Sequence, residues 1–467
     1  MRKIGLVLSL AVFLPGVFSA SGAGQTAKEQ LDLLAEPLIE KGYTQGVVAA
    51  VIEGETAKIY GYGKVRKDAK IVPGANTIFE IGSVTKTFTA LLLAELVEEN
   101  SVKLSDPVQK FLPDTVTVPR KGKREITLGD LATHTSGLPR IPGNFGGNDL
   151  LNPYAGYTEE DMYYFLSGYL LPRAPGETYA YSNLGTGLLG HALARRAKKP
   201  LEALIREYVC LPLGMKDTGV RLSGDQQNRF AQGCDLEGEP VPHWDFAVLA
   251  GCGALRSTAR DLIRYLKAVM GTADSPPAGA IGSTLSPRHP TDIPGGWMIG
   301  LGWHVDKTGD IAWHDGGTYG SYTYVGVNRK RNFGLVWLSN SGLWQIAPLR
   351  ERLEKILLGE PILPLKLKEP VEVEAAILEQ YTGRYQVKPG VFLELVLDEG
   401  YLVMRMPGQE GGSVLYPESE NHFFFRESED VTVSFSRDEK GRVRELIFHE
   451  GGEESPMKKT DVETGER

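Results

Sequence analysis

Cysteine is scarce in this sequence: the chain of 467 residues has 3, at Cys210, Cys234 and Cys252. Because the number is odd, at least one thiol stays free or pairs outside the chain. Cys234 and Cys252 are the nearest pair in sequence, and a disulfide between them is one alternative. We expect instead that the thiols are buried and inert. The 8 histidines are scattered with no His-x-x-x-His spacing, and Cys-x-x-Cys is absent, so we predict no metal site.

Excess positive charge and long apolar runs are also missing from most of the chain. Lysine and arginine number 51 against 59 aspartates and glutamates, which gives a formal net charge of −8. This balance argues against nucleic acid or an anionic membrane as the main partner. Beyond the N-terminus, no segment is apolar enough to cross a membrane. The Gly-x-Ser-x-Gly elbow is absent too, which excludes the α/β-hydrolase class.

The N-terminus is the one strongly apolar stretch, MRKIGLVLSLAVFLPGVFSASGAG. Positive charges at residues 2–3 precede an apolar run over residues 4–18, and small residues at 21–23 suit a cleavage site. The run is shorter than the roughly 20 residues that a membrane span needs. We therefore predict a signal peptide over residues 1–23 and an exported protein, periplasmic or extracellular, with no integral membrane segment after cleavage.

Hydrophobic periodicity predicts the architecture of the long central part. Residues 46–64 alternate as two strands around a turn, and residues 88–100 carry the apolar stripe of a helix. Residues 105–285 show mostly helices and long loops, strands return over residues 300–339, and an amphipathic helix follows at 344–358. This order predicts an α/β (α+β) fold, in which helices flank one antiparallel sheet completed by both ends of the domain, together with an all-helical region.

The composition and the hydrophobic pattern of the sequence change near Pro361. Three prolines within ten residues are typical of a linker. Short alternating segments divided by turn residues follow, and they predict a small β-barrel or sandwich. We expect a first domain over residues 24–360 and a linker with the small β-domain over residues 361–467. The polar tail after Gly451 is expected to fray.

A candidate nucleophile lies where the strand IFEI meets the apolar helix. Ser83 and Lys86 are three residues apart, which puts them on one helix face about 5–6 Å apart at Cβ. A neutral lysine amine there can accept the serine proton, and burial lowers a lysine pKa. The ordinary alternative is a helix-capping serine followed by a helix-forming lysine. The same spacing recurs at Ser455 and Lys458, in the polar tail.

A second candidate motif is Tyr-Ser-Asn, at the junction of a Pro/Gly-rich turn and an apolar helix. Tyr181 can exchange protons with Ser83 or with a leaving group once a cation lowers its pKa. Asn183 can hydrogen-bond a substrate amide. The alternative is a tyrosine that packs its ring and an asparagine that caps the helix.

Together these motifs resemble the class C β-lactamase-like family of penicillin-recognising serine hydrolases. That family also includes D-alanyl-D-alanine carboxypeptidases, D-aminopeptidases and some carboxylesterases. The resemblance covers roughly residues 30–345 and implies a β-lactamase/transpeptidase-like fold. It implies a structural loop for His134 and Thr135. The stretches that carry it, in family order, are FEIGSVTK, LATHTSGLPR, PGETYAYSN, PLGMKDT, GALRSTARDL and WHDGGT. The C-terminal part, through YTGRY, resembles the lipocalin-like modules of some family members, and we expect its interior to be packed.

Two triads compete for the family's third element, which must lie on a sheet-edge strand facing the serine. Lys-Thr-Gly at residues 307–309 is flanked by aspartates between two apolar stretches, which is typical of a hairpin turn. His-Asp-Gly at residues 314–316 ends the second strand, and another glycine follows it. Glycines let the backbone approach a ligand closely. We therefore assign the histidine triad and discount the His-x-Gly at residues 449–451.

The resemblance implies an acyl-enzyme formed on Ser83, with Lys86 as general base and Tyr181 as proton relay. The backbone N–H groups of Ser83 and Gly317 form the predicted oxyanion hole. No cofactor is needed. The predicted substrate-binding residues are Asn183, His314, Gly316, Gly317 and Thr318. Aromatic residues that are candidates for lining the cleft, although each is more often ordinary packing, are Tyr154, Tyr157, Trp244, Tyr319 and Tyr322.

The expected substrates are β-lactams or peptidoglycan peptides of the D-Ala-D-Ala type. Histidine in place of lysine in the third element changes the chemistry, because histidine is cationic only below a pKa of about 6.5. That difference puts strong β-lactamase activity in doubt, although His314 could still bind a carboxylate when protonated. The alternatives are a carboxylesterase or D-aminopeptidase using the same site, or a non-catalytic binding protein.

Overall fold

The computed structural model describes residues 25–146, 149, 151–272, 277–343, 347–398, 400–406, 412–426 and 428–460. The predicted signal peptide therefore lies outside the described residues. Among the helices in these ranges, none is both long and apolar enough to span a membrane.

Helices make up most of the middle of the chain, as the sequence predicts. The described α-helices are α1 (Ala27–Glu40), α2 (Thr85–Glu98), α3 (Leu128–Ala132), α4 (Glu159–Gly168), α5 (Asn183–Ala197), α6 (Leu201–Ile205), α7 (Gly224–Asn228), α8 (Ala259–Met270), α9 (Ala278–Leu285), α10 (Ala347–Leu358) and α11 (Ala375–Leu378).

Strands occur at both ends of this helical region and again near the C-terminus. The strands of the first part are β1 (Gly46–Glu53), β2 (Thr56–Gly63), β3 (Ile78–Glu80), β4 (Arg120–Lys121), β5 (Arg124–Glu125), β6 (Arg256–Thr258), β7 (His289–Pro290), β8 (Met298–Ile299), β9 (His304–Val305), β10 (Ile311–Thr318), β11 (Ser321–Asn328) and β12 (Phe333–Ser339). Those of the last part are β13 (Gly383–Lys388), β14 (Val391–Asp398), β15 (Tyr401–Arg405), β16 (Ser413–Pro417), β17 (His422–Phe424), β18 (Thr432–Arg437), β19 (Val443–Glu450) and β20 (Glu453–Thr460).

The main sheet joins the two ends of the first part, which confirms the predicted architecture. Within the described residues it has eight strands in the order β2-β1-β12-β11-β10-β9-β8-β7. The early strand β1 pairs antiparallel with the late strand β12, with Val47 opposite Ser339. Small separate ladders join β3 to β6 and β4 to β5.

Helices cover both faces of this sheet, and β1 shows why its sequence is almost continuously apolar. Its alternate residues Val48, Ala50 and Ile52 belong to the core shared with α2 and α8. Val47, Ala49 and Val51 belong to a second core shared with α1 and α10. Because successive side chains of a strand point to opposite faces, a strand buried on both sides needs apolar residues at every position.

The last part of the chain is a closed barrel. Among the described residues, its eight strands follow one another in chain order from β13 to β20. Its interior is filled by apolar side chains, among them Tyr385, Leu393, Leu402 and Leu415, each 0% exposed. The predicted packed interior is therefore what the structure has.

Over residues 453–460, the predicted fraying of the tail after Gly451 is wrong. Strand β20 pairs with β19 on one side and with β13 on the other, where Arg384 lies opposite Thr460. Ser455 and Lys458 are thus residues of a strand. Because the ladder is made by backbone groups, a polar strand that exposes most of its side chains can still close a barrel and remove its open edge.

All three cysteines are buried free thiols, so Cys234 and Cys252 form no disulfide. Burial raises the pKa of Cys252 to about 11. The expectation of buried, unreactive thiols agrees with these surroundings.

Candidate active site

Ser83 lies in a tight turn between β3 and α2. The turn spans Gly82–Val84, and Gly82 has φ +46, a left-handed conformation that glycine adopts readily. The N-cap position of α2 is taken by Val84, without a side-chain hydrogen bond. The Ser83 hydroxyl instead accepts a hydrogen bond of 2.7 Å from Lys86 Nζ. Helix capping therefore does not account for this serine.

Lys86 is fully buried, in the first turn of α2. Its ammonium also donates to the carbonyl oxygen of Cys252 at 2.7 Å. Burial is the main influence on this group and lowers its pKa to about 8; Cys252 opposes that shift and Arg140 adds to it. A sizeable fraction of the amine is consequently neutral slightly above neutral pH, as a general base requires.

Tyr181 closes the same group of side chains. The Lys86 Nζ atom lies 4.9 Å from the centroid of its ring. Burial raises the pKa of Tyr181 above its usual value, although a hydrogen bond with Ser83 and the charge of Arg140 both act to lower it. The expectation that a cation lowers this pKa is thus wrong for the resting protein, and the phenol is protonated, ready to donate.

The ring of His134 packs against the ring of Tyr181. His134 has φ +56, and its ring lies 4.5 Å from the ring of Tyr181 between centroids. Its Nδ1 atom accepts a hydrogen bond of 3.1 Å from the Ser182 N–H group. Burial lowers the pKa of His134 well below its usual value, so the ring is neutral. These contacts agree with the structural role that we predict for this loop.

Asn183 is the first residue of α5, and it does not cap the helix. Ser182 caps it, because the Ser182 hydroxyl accepts a hydrogen bond of 2.8 Å from the Gly185 N–H group. The Asn183 amide donates to the Tyr154 hydroxyl at 2.9 Å. Its buried Oδ1 atom has no hydrogen-bond partner among the described residues, so it can accept from a ligand.

Two glycines bring β10 against the serine turn. A Cβ atom on Gly316 would lie 2.2 Å from the carbonyl oxygen of Ile81 and 2.6 Å from the Ser83 nitrogen. A Cβ atom on Gly82 would lie 2.8 Å from the Gly317 nitrogen. The strand and the turn can approach this closely only without side chains. Ser83 and Gly317 both line the pocket beside this contact, and their N–H groups remain the predicted oxyanion donors.

His314 lies beside Tyr181, but its ring is not the imidazolium cation considered for binding a carboxylate. The residue is 1% exposed, and its ring stacks on that of His304 at 5.1 Å between centroids. Its Nδ1 atom donates a hydrogen bond of 2.5 Å to the Asp315 carbonyl oxygen. Burial, followed by His304 and Lys86, lowers the pKa of His314 well below its usual value. The predicted binding of a carboxylate by protonated His314 is therefore wrong near neutral pH.

Thr318 does not line the pocket, contrary to its predicted role. It is buried, and its hydroxyl donates to a carboxylate oxygen of Glu80 at 2.9 Å. The other carboxylate oxygen of Glu80 accepts from the Trp244 N–H group at 2.8 Å. Thr318 therefore anchors the end of β10 to β3, and its side chain does not reach a substrate.

The Lys-Thr-Gly triad lies in the predicted turn between β9 and β10. The Thr308 hydroxyl donates to the carboxylates of Asp306 and Asp310, and Gly309 has φ +76. The His-x-Gly at residues 449–451 lies at the end of β19 in the barrel. Neither of these two motifs contributes a residue to the pocket in front of Ser83.

The pocket in front of Ser83 has a volume of about 680 Å³. Of the predicted aromatic residues, Tyr154 and Trp244 line it, whereas Tyr157, Tyr319 and Tyr322 do not. The other residues that line it are Ser83, Arg140, Ile141, Tyr179, Tyr181, Asn183, Asp292, Ile293, Pro294, His304, Trp313, Asp315, Gly316, Gly317 and Arg350.

Several of these residues were missed by sequence reasoning. Arg140 ends the stretch LATHTSGLPR, so its position carried a signal. Asp315 lies in the histidine triad, but it points away from His314 because neighbouring residues of a strand face opposite sides. Its carboxylate accepts a hydrogen bond of 3.4 Å from the Tyr322 hydroxyl. Burial raises the pKa of Asp315, and the charge of Arg350 opposes that shift. Arg350, on α10, carried no local sequence signal.

No group of three or more histidine, cysteine, aspartate or glutamate side chains in the described ranges could hold a metal ion.

Comparison with known proteins identifies two sequence families in the chain. The β-lactamase family matches residues 31–358, and a domain of unknown function matches residues 367–464. The D-alanyl-D-alanine-carboxypeptidase/endopeptidase AmpH of Escherichia coli (strain K12) is 32% identical over 323 residues, which cover 66% of this chain and 82% of that relative. A penicillin-binding protein of Bacillus subtilis (strain 168) is 28% identical over 465 residues, which cover 93% of this chain and 99% of that relative.

Among solved structures, the octameric penicillin-binding protein homologue from Pyrococcus abyssi has a similar fold. It is 23% identical, with a TM-score of 0.63, and the match covers 93% of this chain and 100% of that chain. At this identity the likeness concerns the fold, and it extends over both parts of the molecule.

Proposed function

Because the chain belongs to the β-lactamase family of serine hydrolases, we propose that it hydrolyses peptide amides of the D-Ala-D-Ala type, or β-lactams, through an acyl-enzyme on Ser83. The observation that carries this proposal is the hydrogen bond of 2.7 Å from the buried Lys86 amine to the Ser83 hydroxyl. A lysine with a lowered pKa next to a serine that faces a pocket is an activated nucleophile.

The first step forms a tetrahedral intermediate on Ser83. Neutral Lys86 accepts the Ser83 proton while the serine oxygen attacks the carbonyl carbon of the substrate. The negative charge that develops on the carbonyl oxygen is stabilised by the N–H groups of Ser83 and Gly317. Each such donor is worth about 100- to 1,000-fold in rate.

The second step expels the amine. The protonated Tyr181 hydroxyl donates its proton to the leaving nitrogen, and the Lys86 ammonium restores that proton through the hydrogen bonds around Ser83. Breaking the C–N bond leaves the acyl group on Ser83. A water molecule then attacks it, passes its proton back along the same groups, and frees the serine.

Asn183 orients the acyl part of the substrate in this proposal. Its unpaired Oδ1 atom suits the N–H group of an acyl-side amide. Neutral His314 supplies no imidazolium for a substrate carboxylate, whether of a lactam or of a terminal D-alanine.

Incubation with a penicillin followed by intact-protein mass spectrometry tests the nucleophile. We expect a long-lived adduct of one penicillin per chain, located on Ser83 by peptide mapping and absent from Ser83→Ala. In parallel, a D-Ala-D-Ala peptide should release D-alanine. Rapid penicillin turnover without an adduct would instead mark a β-lactamase. An adduct on another residue, or D-alanine release by Ser83→Ala, would overturn the proposal.

We also propose that the protein is exported, that residues 1–23 are its signal peptide, and that residues 24–360 form the hydrolase domain, followed by a linker and barrel over residues 361–467. The supporting feature is the apolar N-terminal stretch behind two positive charges. Expression with its own N-terminus should give a secreted form whose mass corresponds to a chain beginning at Gly24. A cytoplasmic, uncleaved chain would contradict this.

A further inference from the structure

Arg140 lies at the entrance of the catalytic pocket, next to the proposed proton relay. Its guanidinium carbon is 4.9 Å from the centroid of the Tyr181 ring. Its backbone carbonyl accepts a hydrogen bond of 2.9 Å from the Asn183 N–H group. The side chain is exposed and lines the pocket together with Ser83. Arg140 is therefore fixed by its backbone on the Asn183 side of the pocket while its charge remains accessible to a ligand.

The second arginine of the pocket is in a different situation. Arg350 forms an ion pair with Glu354, one turn further along α10. It also lies close enough to Asp315 to oppose the rise in the pKa of that carboxyl. Its positive charge is thus offset by two carboxylates on the sheet side of the pocket.

Arg140 has no such partner. Among the described residues, its guanidinium forms no ion pair and no hydrogen bond; its contact is with the face of the Tyr181 ring. The other positive charge near the serine, Lys86, is buried and already donates to Ser83 and Cys252. A guanidinium offers a planar fork of donors that matches a carboxylate, and a free one beside a reactive serine is suited to bind one.

We infer that Arg140 is a specificity-determining residue that binds a carboxylate on the acyl side of the substrate, so that peptides with an acidic group preceding the cleaved bond are preferred. This inference rests on the proposed function and names its substrate class. The Asn183 wall combines an unpaired amide oxygen with an unpaired guanidinium. Asp315 also lines the pocket, and its side chain offers no positive charge to an acidic group.

Two N-acetylated peptides ending in D-Ala-D-Ala test this inference. They differ only in one acyl-side residue, which is glutamate in one and glutamine in the other. For the wild-type protein we expect a kcat/KM about tenfold higher with the glutamate peptide, through a lower KM, as a charge-assisted hydrogen bond provides. In Arg140→Gln this preference should fall to about one, and Arg140→Lys should keep part of it.

Arg196→Gln is the matched control, since it removes an exposed guanidinium of α5 outside the pocket and should leave the glutamate-to-glutamine ratio near its wild-type value. Equal cleavage of both peptides by the wild-type protein, with Ser83→Ala inactive, would overturn the role of Arg140 and leave the proposed function standing. An equal loss of kcat on both peptides in Arg140→Gln would also overturn it, because Arg140 would then act through Tyr181. Cleavage by Ser83→Ala would instead defeat the proposed function.

Discussion

The main sheet and the barrel are both built from antiparallel strands. Buried polar side chains near the serine turn and on the barrel strands nevertheless differ in their hydrogen-bond pairing. Near the serine turn, the Oδ1 atom of Asn183 on α5 and the Nε2 atom of His314 on β10 are buried without a hydrogen-bond partner among the described residues. In the barrel, the Tyr385 hydroxyl donates to the Tyr381 carbonyl oxygen at 2.7 Å, and Ser434 is paired with His449. Leaving a buried polar atom unpaired costs about 1–3 kcal/mol. In the proposed reaction, a substrate N–H group pairs with Asn183 Oδ1 and offsets this cost at that atom.

The same contrast holds for the serines of the two regions. Ser83 accepts from a buried amine in front of a cavity of about 680 Å³, whereas Ser434 lies 2.7 Å from a histidine nitrogen in a barrel whose interior is filled. A serine with a base at hydrogen-bond distance occurs in both regions. What separates them is the pocket and the adjoining pair of backbone N–H groups at the edge of the sheet.

The contrast between Ser83 and Ser434 fails most clearly if the Ser83→Ala variant keeps its hydrolytic activity. We expect this substitution to lower kcat by at least about 10,000-fold, since it removes the nucleophile of the acyl-enzyme. Initial rates of D-alanine release measure the effect, and circular dichroism checks that the fold is kept. Ser434→Ala is the matched control in the barrel, and its kcat should stay within about twofold of wild type. A larger loss in Ser434→Ala than in Ser83→Ala would reverse the assignment.

The next largest effect concerns the contact between β10 and the serine turn. Gly316→Ala puts a Cβ atom 2.2 Å from the Ile81 carbonyl oxygen, so the strand must shift and carry the Gly317 N–H group away from the oxyanion position. We expect kcat to fall by about 100-fold, the effect of losing one oxyanion donor. Steady-state kinetics measures it.

Gly326→Ala in the neighbouring strand β11 is the control. Its new Cβ atom meets the flexible end of Leu357 at 2.7 Å, three residues along β11 from Thr323, the partner of Gly316. This variant should lose some stability in thermal unfolding while its kcat changes little. Wild-type kcat in Gly316→Ala would show that the close approach is not required for hydrolysis.

Sequence patterns predict the fold and much of the catalytic group because both leave local signals. Ser83 and Lys86 are one helical turn apart, Tyr181 and Asn183 share a three-residue motif, and alternating segments mark the strands of both regions. The order of these motifs along the chain is enough to predict which strands complete the sheet.

The errors come from features that depend on distant residues or on strand geometry. The pKa of His314 is lowered by burial and by His304, which another strand supplies at 5.1 Å between ring centroids. Thr318 differs from its predicted role because its hydroxyl donates to Glu80, a residue of a distant strand. Strand β20 is missed because its side chains are mostly polar and exposed, while its pairing is made by the backbone.

A smaller effect, about tenfold per pH unit, is expected in the pH dependence of the reaction. The active form needs neutral Lys86, and burial lowers the pKa of that amine from 10.5 to about 8. The rate constant kcat/KM should therefore rise about tenfold per pH unit below pH 8 and level off above it. The unfolded chain binds this proton more tightly, so Lys86 should also make stability rise with pH between about 8 and 10.5.

A kcat/KM profile with a non-ionising substrate checks this prediction. A limb centred near pH 6 would point to a histidine as the base, contrary to the buried neutral positions of His134 and His314. A profile that falls with rising pH through 8 would mean that the ammonium form is the active one.

The smallest effect on hydrolysis is expected from the barrel, whose contact with the first part includes the ion pair of Arg352 with Glu429 at 3.0 Å, away from the pocket. Leu393→Ala removes a fully buried barrel side chain and should lower the free energy of unfolding of the barrel by about 2–5 kcal/mol. Below the melting temperature, kcat should stay within about twofold of wild type. Leu92→Ala, equally buried in α2, the helix that carries Lys86, is the control and should lower both stability and kcat. A large loss of kcat in Leu393→Ala would show that the barrel supports the pocket.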